Sequence, residues 1–174
     1  PSLAEAVRMN AEIYMQIKKI LKSKKYSIGV GDEGGFAPTF ISNEEPFQIM
    51  SMAVANAGYT LGKDVSFGID AAATEFFKDN KYTLNKEGKS VTSDELSSFL
   101  LSLSSKYPII SMEDIFAEDD WGAYQKFMTT SQGKIQIVGD DLYVTNVKRL
   151  QKGIEEKSTN SILIKLNQIG TVSE

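Results

Sequence analysis

The chain has 174 residues, 41% hydrophobic and 24% charged, with a formal net charge of −4; this suits one folded domain with a real core. The acidic balance disfavours nucleic acid and anionic membranes, both of which need a basic face. There is no cysteine and no histidine, so disulfides, thiolate or imidazole metal sites and a Ser-His-Asp triad are excluded within these residues.

Residues 2–24 carry Leu3, Val7, Ile13, Ile17, Ile20 and Leu21 at near-helical spacing. Lys18, Lys19, Lys22, Lys24 and Lys25 at its end read as a solvated face, favourable near a helix C-terminus. A charged amphipathic helix is not a signal peptide, and no apolar run has the length of a membrane span; a cytoplasmic location is expected. A short strand over Tyr26–Val30 leads into the loop Gly31–Pro38. A helix is expected over 43–57, with Asn43 as N-cap and Gly58 beyond its end. A second strand, Val65–Ile69, ends at Asp70. Residues 75–91 are polar with turn signals and predict a small hairpin. Thr92-Ser-Asp-Glu95 is a capping box that opens a helix to about Lys106. A strand over 108–112 leads to Glu113, and Glu118-Asp-Asp120 suits the first turn of a helix to about Thr130. Strand 135–138, helix 145–157 and strand 161–164 follow. Gln168 onward reads as the opening of another helix. Because residue 1 is proline and the helical pattern starts at once, the chain is expected to be a piece of a longer protein.

Strand, loop and helix repeat, which predicts an α/β fold with about five parallel strands and crossover helices. A closed barrel of eight such units takes roughly 250 residues, so a partial TIM-type barrel is expected; an open flavodoxin-like sheet is the alternative. Polar residues at every strand end favour the barrel, since an open sheet uses only those near its switch point.

Those strand ends carry the chemistry. Asp70, Glu113 and Asp140 each follow an apolar run, and each could be an ordinary helix cap. Together they occupy the same place in successive units, and three like charges brought together call for a cation. A hard divalent ion such as Mg²⁺ fits an all-carboxylate shell. Lys165 ends the run Ser161-Ile-Leu-Ile164. It could pair with Asp140 or Asp141, act as a general base or serve as a Schiff-base nucleophile. Gly31-Asp-Glu-Gly-Gly-Phe-Ala-Pro38 is not a phosphate P-loop, because it lacks the Gly-Lys-Ser/Thr ending and its two acids would repel phosphate.

Several strings together resemble the enolase family: Gly31–Pro38, Ile69-Asp-Ala-Ala-Ala-Thr-Glu-Phe-Phe77, Ser111-Met-Glu-Asp114 with Asp119-Asp-Trp121, Gly139-Asp-Asp-Leu-Tyr-Val-Thr-Asn146 and Leu163-Ile-Lys-Leu-Asn-Gln-Ile-Gly170. The likeness runs over essentially the whole chain, in the family's order. It implies the central part of the family's C-terminal barrel domain, with the N-terminal capping domain and the last barrel units lying outside residues 1–174. It also implies the Mg²⁺-dependent, reversible dehydration of 2-phosphoglycerate to phosphoenolpyruvate. By the same likeness Asp70, Glu113 and Asp140 bind the Mg²⁺, and Glu113, Asp140 and Lys165 contact substrate. Lys165 would accept the C2 proton, Glu33 would donate a proton to the leaving hydroxyl, and Asp141 would orient these groups from behind. The three metal acids are expected to converge, with Lys165 and Glu33 on opposite sides of one cavity. The full protein would be a homodimer.

One departure is Ile115, where the family usually has proline. The family's histidines, its arginine-serine phosphate site and its mobile metal loop have no counterpart in these residues, so the isolated chain is expected to be inactive. Two other readings are another proton-abstracting enzyme of the enolase superfamily and a non-catalytic, enolase-like binding module.

Overall fold

The computed structural model describes residues 2–171 and 173. The chain divides into two compact units, residues 1–66 and 67–174. In the first, α1 (Leu3–Ser23) starts where Ser2 Oγ accepts the Glu5 N–H at 3.2 Å. With α2 (Glu45–Asn56) it buries Ile13, Leu21, Phe47, Ile49, Ala53 and Val54. The start of α2 departs from expectation: Asn43 is not its cap. Pro46 sits in the first turn, where its missing N–H costs nothing, and Ser42 Oγ accepts the Glu45 N–H at 3.2 Å. Gly58 lies just past the end with φ +85°, as expected.

Tyr26–Val30 does not form a sheet strand. Its one β contact is an antiparallel bridge from Val30 to Phe36. The glycine-rich loop folds back at once: the Gly31 N–H reaches the Gly35 carbonyl at 2.9 Å, and Ala37 N–H reaches the Gly29 carbonyl at 3.0 Å. Val30 therefore pairs within its own loop, and among the described residues four parallel strands stand where about five were expected.

The second unit holds those four. They are β1 (Phe67–Asp70), β5 (Ile109–Glu113), β6 (Gln136–Gly139) and β7 (Ser161–Ile162), hydrogen-bonded in that order and all parallel. Between β1 and β5 come one turn of 3-10 helix, a three-stranded antiparallel sheet and α3 (Ser93–Lys106). The small sheet is β2 (Phe77–Lys78), β3 (Lys81–Leu84) and β4 (Lys89–Val91), the hairpin excursion expected from the turn signals. Helix α4 (Trp121–Ser131) connects β5 to β6, and α5 (Val147–Glu156) connects β6 to β7. Spatial order follows chain order without reversal. That is the progression of a (β/α) barrel; a doubly wound sheet reverses at its switch point.

The predicted capping box is present: Thr92 Oγ1 accepts the Glu95 N–H at 3.3 Å, and Glu95 accepts the Thr92 N–H at 2.8 Å. Helix α4 begins three residues later than Glu118. Asp120 occupies the cap position, but its carboxylate is drawn elsewhere, to the Tyr82 hydroxyl at 2.8 Å and Ser93 Oγ at 2.6 Å. β7 is shorter than 161–164, although the Leu163 N–H still reaches the Gly139 carbonyl at 3.1 Å. Beneath the sheet, Phe116 packs edge-on against Tyr82, Tyr124 and Phe127, with ring centroids 6.1, 5.4 and 5.9 Å away. Burying each such ring stabilises by about 1.5–3 kcal/mol, and this cluster holds the β5–α4 loop beside the sheet.

Candidate metal and catalytic site

Asp70 and Glu113 stand side by side, paired in the β1–β5 register. The Ala71 N–H bonds the Glu113 carbonyl at 3.0 Å, which extends the ladder past β1. Asp140 and Asp141 follow the next strand, β6. The carboxylates form two clusters. Oxygens of Asp70, Glu113 and Asp114 lie within 4.8 Å of one another, and so do those of Asp114, Asp140 and Asp141. The expected trio of Asp70, Glu113 and Asp140 is thus divided between two groups, with Asp114 common to both.

Glu113 shows what this proximity costs. Its partial burial pushes its pKa up to about 6, and the charges of Asp70, Asp114 and Asp140 push the same way, against a smaller opposing pull from Lys165. Its carboxylate accepts no hydrogen bond among the described residues.

Asp114 is the residue that motif reading did not assign. It is only 3% exposed and sits at φ +43°. Its Oδ1 accepts the Asp140 N–H at 3.0 Å, and its Oδ2 accepts the Asp141 N–H at 2.8 Å. Burial raises its pKa, and these two N–H bonds oppose that rise. A carboxylate with both oxygens on backbone donors is a clamp: it ties the end of β5 to the loop after β6 and fixes where Asp140 begins. The Asp in the string Met112-Glu-Asp114 was visible, but its two partners lie 26 and 27 residues further on.

Lys165 pairs with Asp140. Its ammonium donates to Asp140 Oδ2, and Gln168 Nε2 donates to Oδ1 at 2.8 Å. Asp140 is 7% exposed, so both of its oxygens are engaged in a nearly dry setting. That hydrogen bond, with the charges of Asp140, Asp141 and Glu113, raises the Lys165 pKa and holds it as an ammonium. The pairing reading of Lys165 is therefore realised; a base role needs that ion pair to loosen. Asp141 acts on Lys165 through its charge, and its N–H is spent on Asp114.

The loop that carries Asp140 is shaped by Tyr143. A Cβ on Gly139 would lie 2.7 Å from the Tyr143 ring, and one on Gly153 would lie 2.3 Å from its hydroxyl oxygen. Both positions therefore require glycine as packed. Just beyond, Val144 and Thr145 take φ +43° and +56°. Left-handed backbone is strained for β-branched residues, by about 1–3 kcal/mol each.

Glu33 belongs to the first unit. It lies exposed in the turn Gly31–Gly35, where Gly34 has φ +82°. The Tyr14 hydroxyl donates to the Gly34 carbonyl at 3.0 Å, and the Tyr14 and Phe36 rings stack at 4.3 Å. The loop is thus held by backbone and aromatic contacts.

The donor set of the second unit consists of carboxylate oxygens, which suit a hard divalent cation and offer nothing to a soft one. Glu113, crowded by Asp70, Asp114 and Asp140 and with no hydrogen-bond donor among the described residues, is the strongest sign that the cluster can accommodate positive charge. Among the described residues, no helix is long and apolar enough to cross a membrane.

Compared with known protein families, residues 1–174 match the family described as enolase, C-terminal TIM barrel domain. The match covers the whole chain and agrees with the ordered parallel sheet and the acids at its strand ends, so the chain belongs to the enolase C-terminal TIM-barrel family.

Proposed function

We propose that this chain is part of a phosphopyruvate hydratase, a lyase of glycolysis and gluconeogenesis that interconverts 2-phosphoglycerate with phosphoenolpyruvate and water. The observation that carries the reading is the pairing of Lys165 with Asp140 at the same end of the parallel strands as Asp70 and Glu113, a lysine beside a hard-cation donor set. In this reading Asp70, Glu113 and Asp140 hold Mg²⁺. Asp114 is spent on the Asp140 and Asp141 N–H groups and is a support. A bound Mg²⁺ would supply positive charge where negative charge builds on the substrate carboxylate. Lys165, as the free amine, takes the proton from C2, and the electron pair of that C–H bond moves toward the carboxylate. Return of the pair forms the C2–C3 double bond and expels the C3 hydroxyl, which leaves as water with the proton that Glu33 donates. By family likeness the full protein acts as a cytoplasmic homodimer.

The test uses the full protein that contains these residues. Phosphoenolpyruvate formation from 2-phosphoglycerate is followed with Mg²⁺ and again after chelation. Turnover that depends on the metal is expected. Proton exchange on a different carboxylate with no turnover of 2-phosphoglycerate would move the chain to another reaction of the superfamily, and no exchange on any acid would make it a binding module.

A further inference from the structure

Three residues beside the acids close a ring with Asp140. Thr145 Oγ1 accepts the backbone N–H of Lys165 at 2.9 Å and donates to Gln168 Oε1 at 2.6 Å. Gln168 Nε2 donates to Asp140 Oδ1 at 2.8 Å, and Lys165 Nζ donates to Asp140 Oδ2. The geometry points to Thr145 as a positioning residue that sets the Lys165 amine against Asp140, an assignment that rests on the reading of Lys165 as proton acceptor.

The hydroxyl has one proton to give, and the amide N–H of Lys165 leaves it only the acceptor role there, so its proton goes to Gln168. That bond fixes which end of the Gln168 amide faces Thr145, and hence that its NH₂ faces Asp140. One hydroxyl therefore orders both approaches to the same carboxylate: the lysine directly and the glutamine from the other oxygen. A second observation agrees. Thr145 holds its place only because the loop is over-determined. The Val144 N–H reaches the Asp140 carbonyl at 2.7 Å, and the Asn146 N–H reaches the Tyr143 carbonyl at 2.8 Å, so two consecutive β-branched residues stay left-handed. Strain of this kind persists where the surroundings enforce it, and here its product is the aim of one hydroxyl.

Thr145→Val keeps the branching and removes the hydroxyl, while Thr145→Ser keeps the hydroxyl. In the full protein with 2-phosphoglycerate, Thr145→Val is expected to slow C2 proton exchange and kcat by about 100-fold, the order of a misplaced reacting group, with KM little changed. Thr145→Ser should restore both to within a few-fold. Amide hydrogen exchange is the independent readout: the Lys165 N–H should lose protection in Thr145→Val and keep it in Thr145→Ser. Wild-type exchange and kcat in Thr145→Val would overturn the proposal, and so would a serine variant that stays protected yet is as slow as the valine one. If the wild-type protein exchanges no C2 proton at all, the substrate reading falls, and the amide protection still decides whether the ring exists. Should Thr145→Val fail to fold, Gln168→Leu removes both the acceptor of the Thr145 hydroxyl and the donor to Asp140 while leaving the Lys165 N–H to Thr145 bond in place; an unchanged kcat there would also overturn the proposal.

Discussion

The same kind of tripeptide, glycine followed by two acids, ends an apolar run in each unit, and its two copies have opposite surroundings. Gly31-Asp32-Glu33 turns in a loop that closes on its own backbone and on the Tyr14–Phe36 stack, with both acids exposed. Gly139-Asp140-Asp141 follows a sheet strand. Its glycine is required by the Tyr143 ring, its two acid N–H groups are clamped by Asp114, and Asp140 is nearly buried against Lys165 and Gln168. What the tripeptide does is thus decided by what the neighbouring strand and helix bring to it. A carboxylate with every oxygen assigned suits a ligand that must not move.

The sharpest way to break this contrast is a pair of substitutions in the full protein. Lys165→Ala should depress C2 proton exchange by about 10²–10⁴-fold, the usual worth of a positioned base. Glu33→Gln should block dehydration by a similar factor and largely spare the exchange. Deuterium incorporation followed by NMR, alongside phosphoenolpyruvate formation, separates the two steps; equal loss of exchange in both variants would sink the division of roles.

Next in size is the aromatic support of the β5–α4 loop, which follows the clamp residue Asp114. Phe116 is 1% exposed and touches Tyr82, Tyr124 and Phe127. Phe116→Ala should cost about 3–5 kcal/mol of stability, read from urea midpoints. A loss below about 1 kcal/mol would mean that the cluster is not what holds the β5–α4 loop.

Asp114→Asn probes the clamp itself. The amide can accept one of the two N–H groups and turns its own donors on the other, so one buried donor loses its partner, at about 1–3 kcal/mol. Because the clamp sets the start of Asp140, Mg²⁺ affinity should fall by about 10–100-fold, as read by calorimetry. Unchanged affinity would make Asp114 a purely structural group.

The smallest effect belongs to the first unit, where Glu45 plays the clamp's part. Its carboxylate accepts the Ile41 N–H at 3.0 Å and the Tyr26 hydroxyl at 2.8 Å. The Ile41 bond leads in holding its pKa below the ordinary carboxylate value, with Tyr26 and the Lys24 charge helping against desolvation. A lowered carboxylate pKa contributes stability above the unfolded value of about 4.3, and that contribution is lost as pH falls through the folded one. Glu45→Gln should therefore lower stability at pH 6 and flatten its decline toward about pH 3. Parallel pH profiles for variant and wild type would remove Glu45 from this account.

Much of the architecture was legible along the chain because it depends on near neighbours. Helical spacing and the Thr92–Glu95 capping box set α1 and α3, the turn residues at 79–80 and 87–88 marked the small antiparallel sheet, and apolar runs placed the four parallel strands. The acids at 70, 113 and 140 and the lysine at 165 were visible as a repeated position after those runs. Three features were decided only by tertiary structure. Tyr26–Val30 has the pattern of a strand, yet its glycine-rich loop closes too early and gives it an internal partner. Asp120 has the chemistry of a helix cap, yet Tyr82 and Ser93, 38 and 27 residues away, take its carboxylate. Asp114 reads as a neighbour of a ligand, and becomes the clamp on Asp140 and Asp141 because parallel pairing of β5 with β6 carries their N–H groups to it. Local pattern determines where an element begins and which face is apolar; which distant donor meets a given carboxylate depends on sheet register, which the spacing of residues along one chain does not encode.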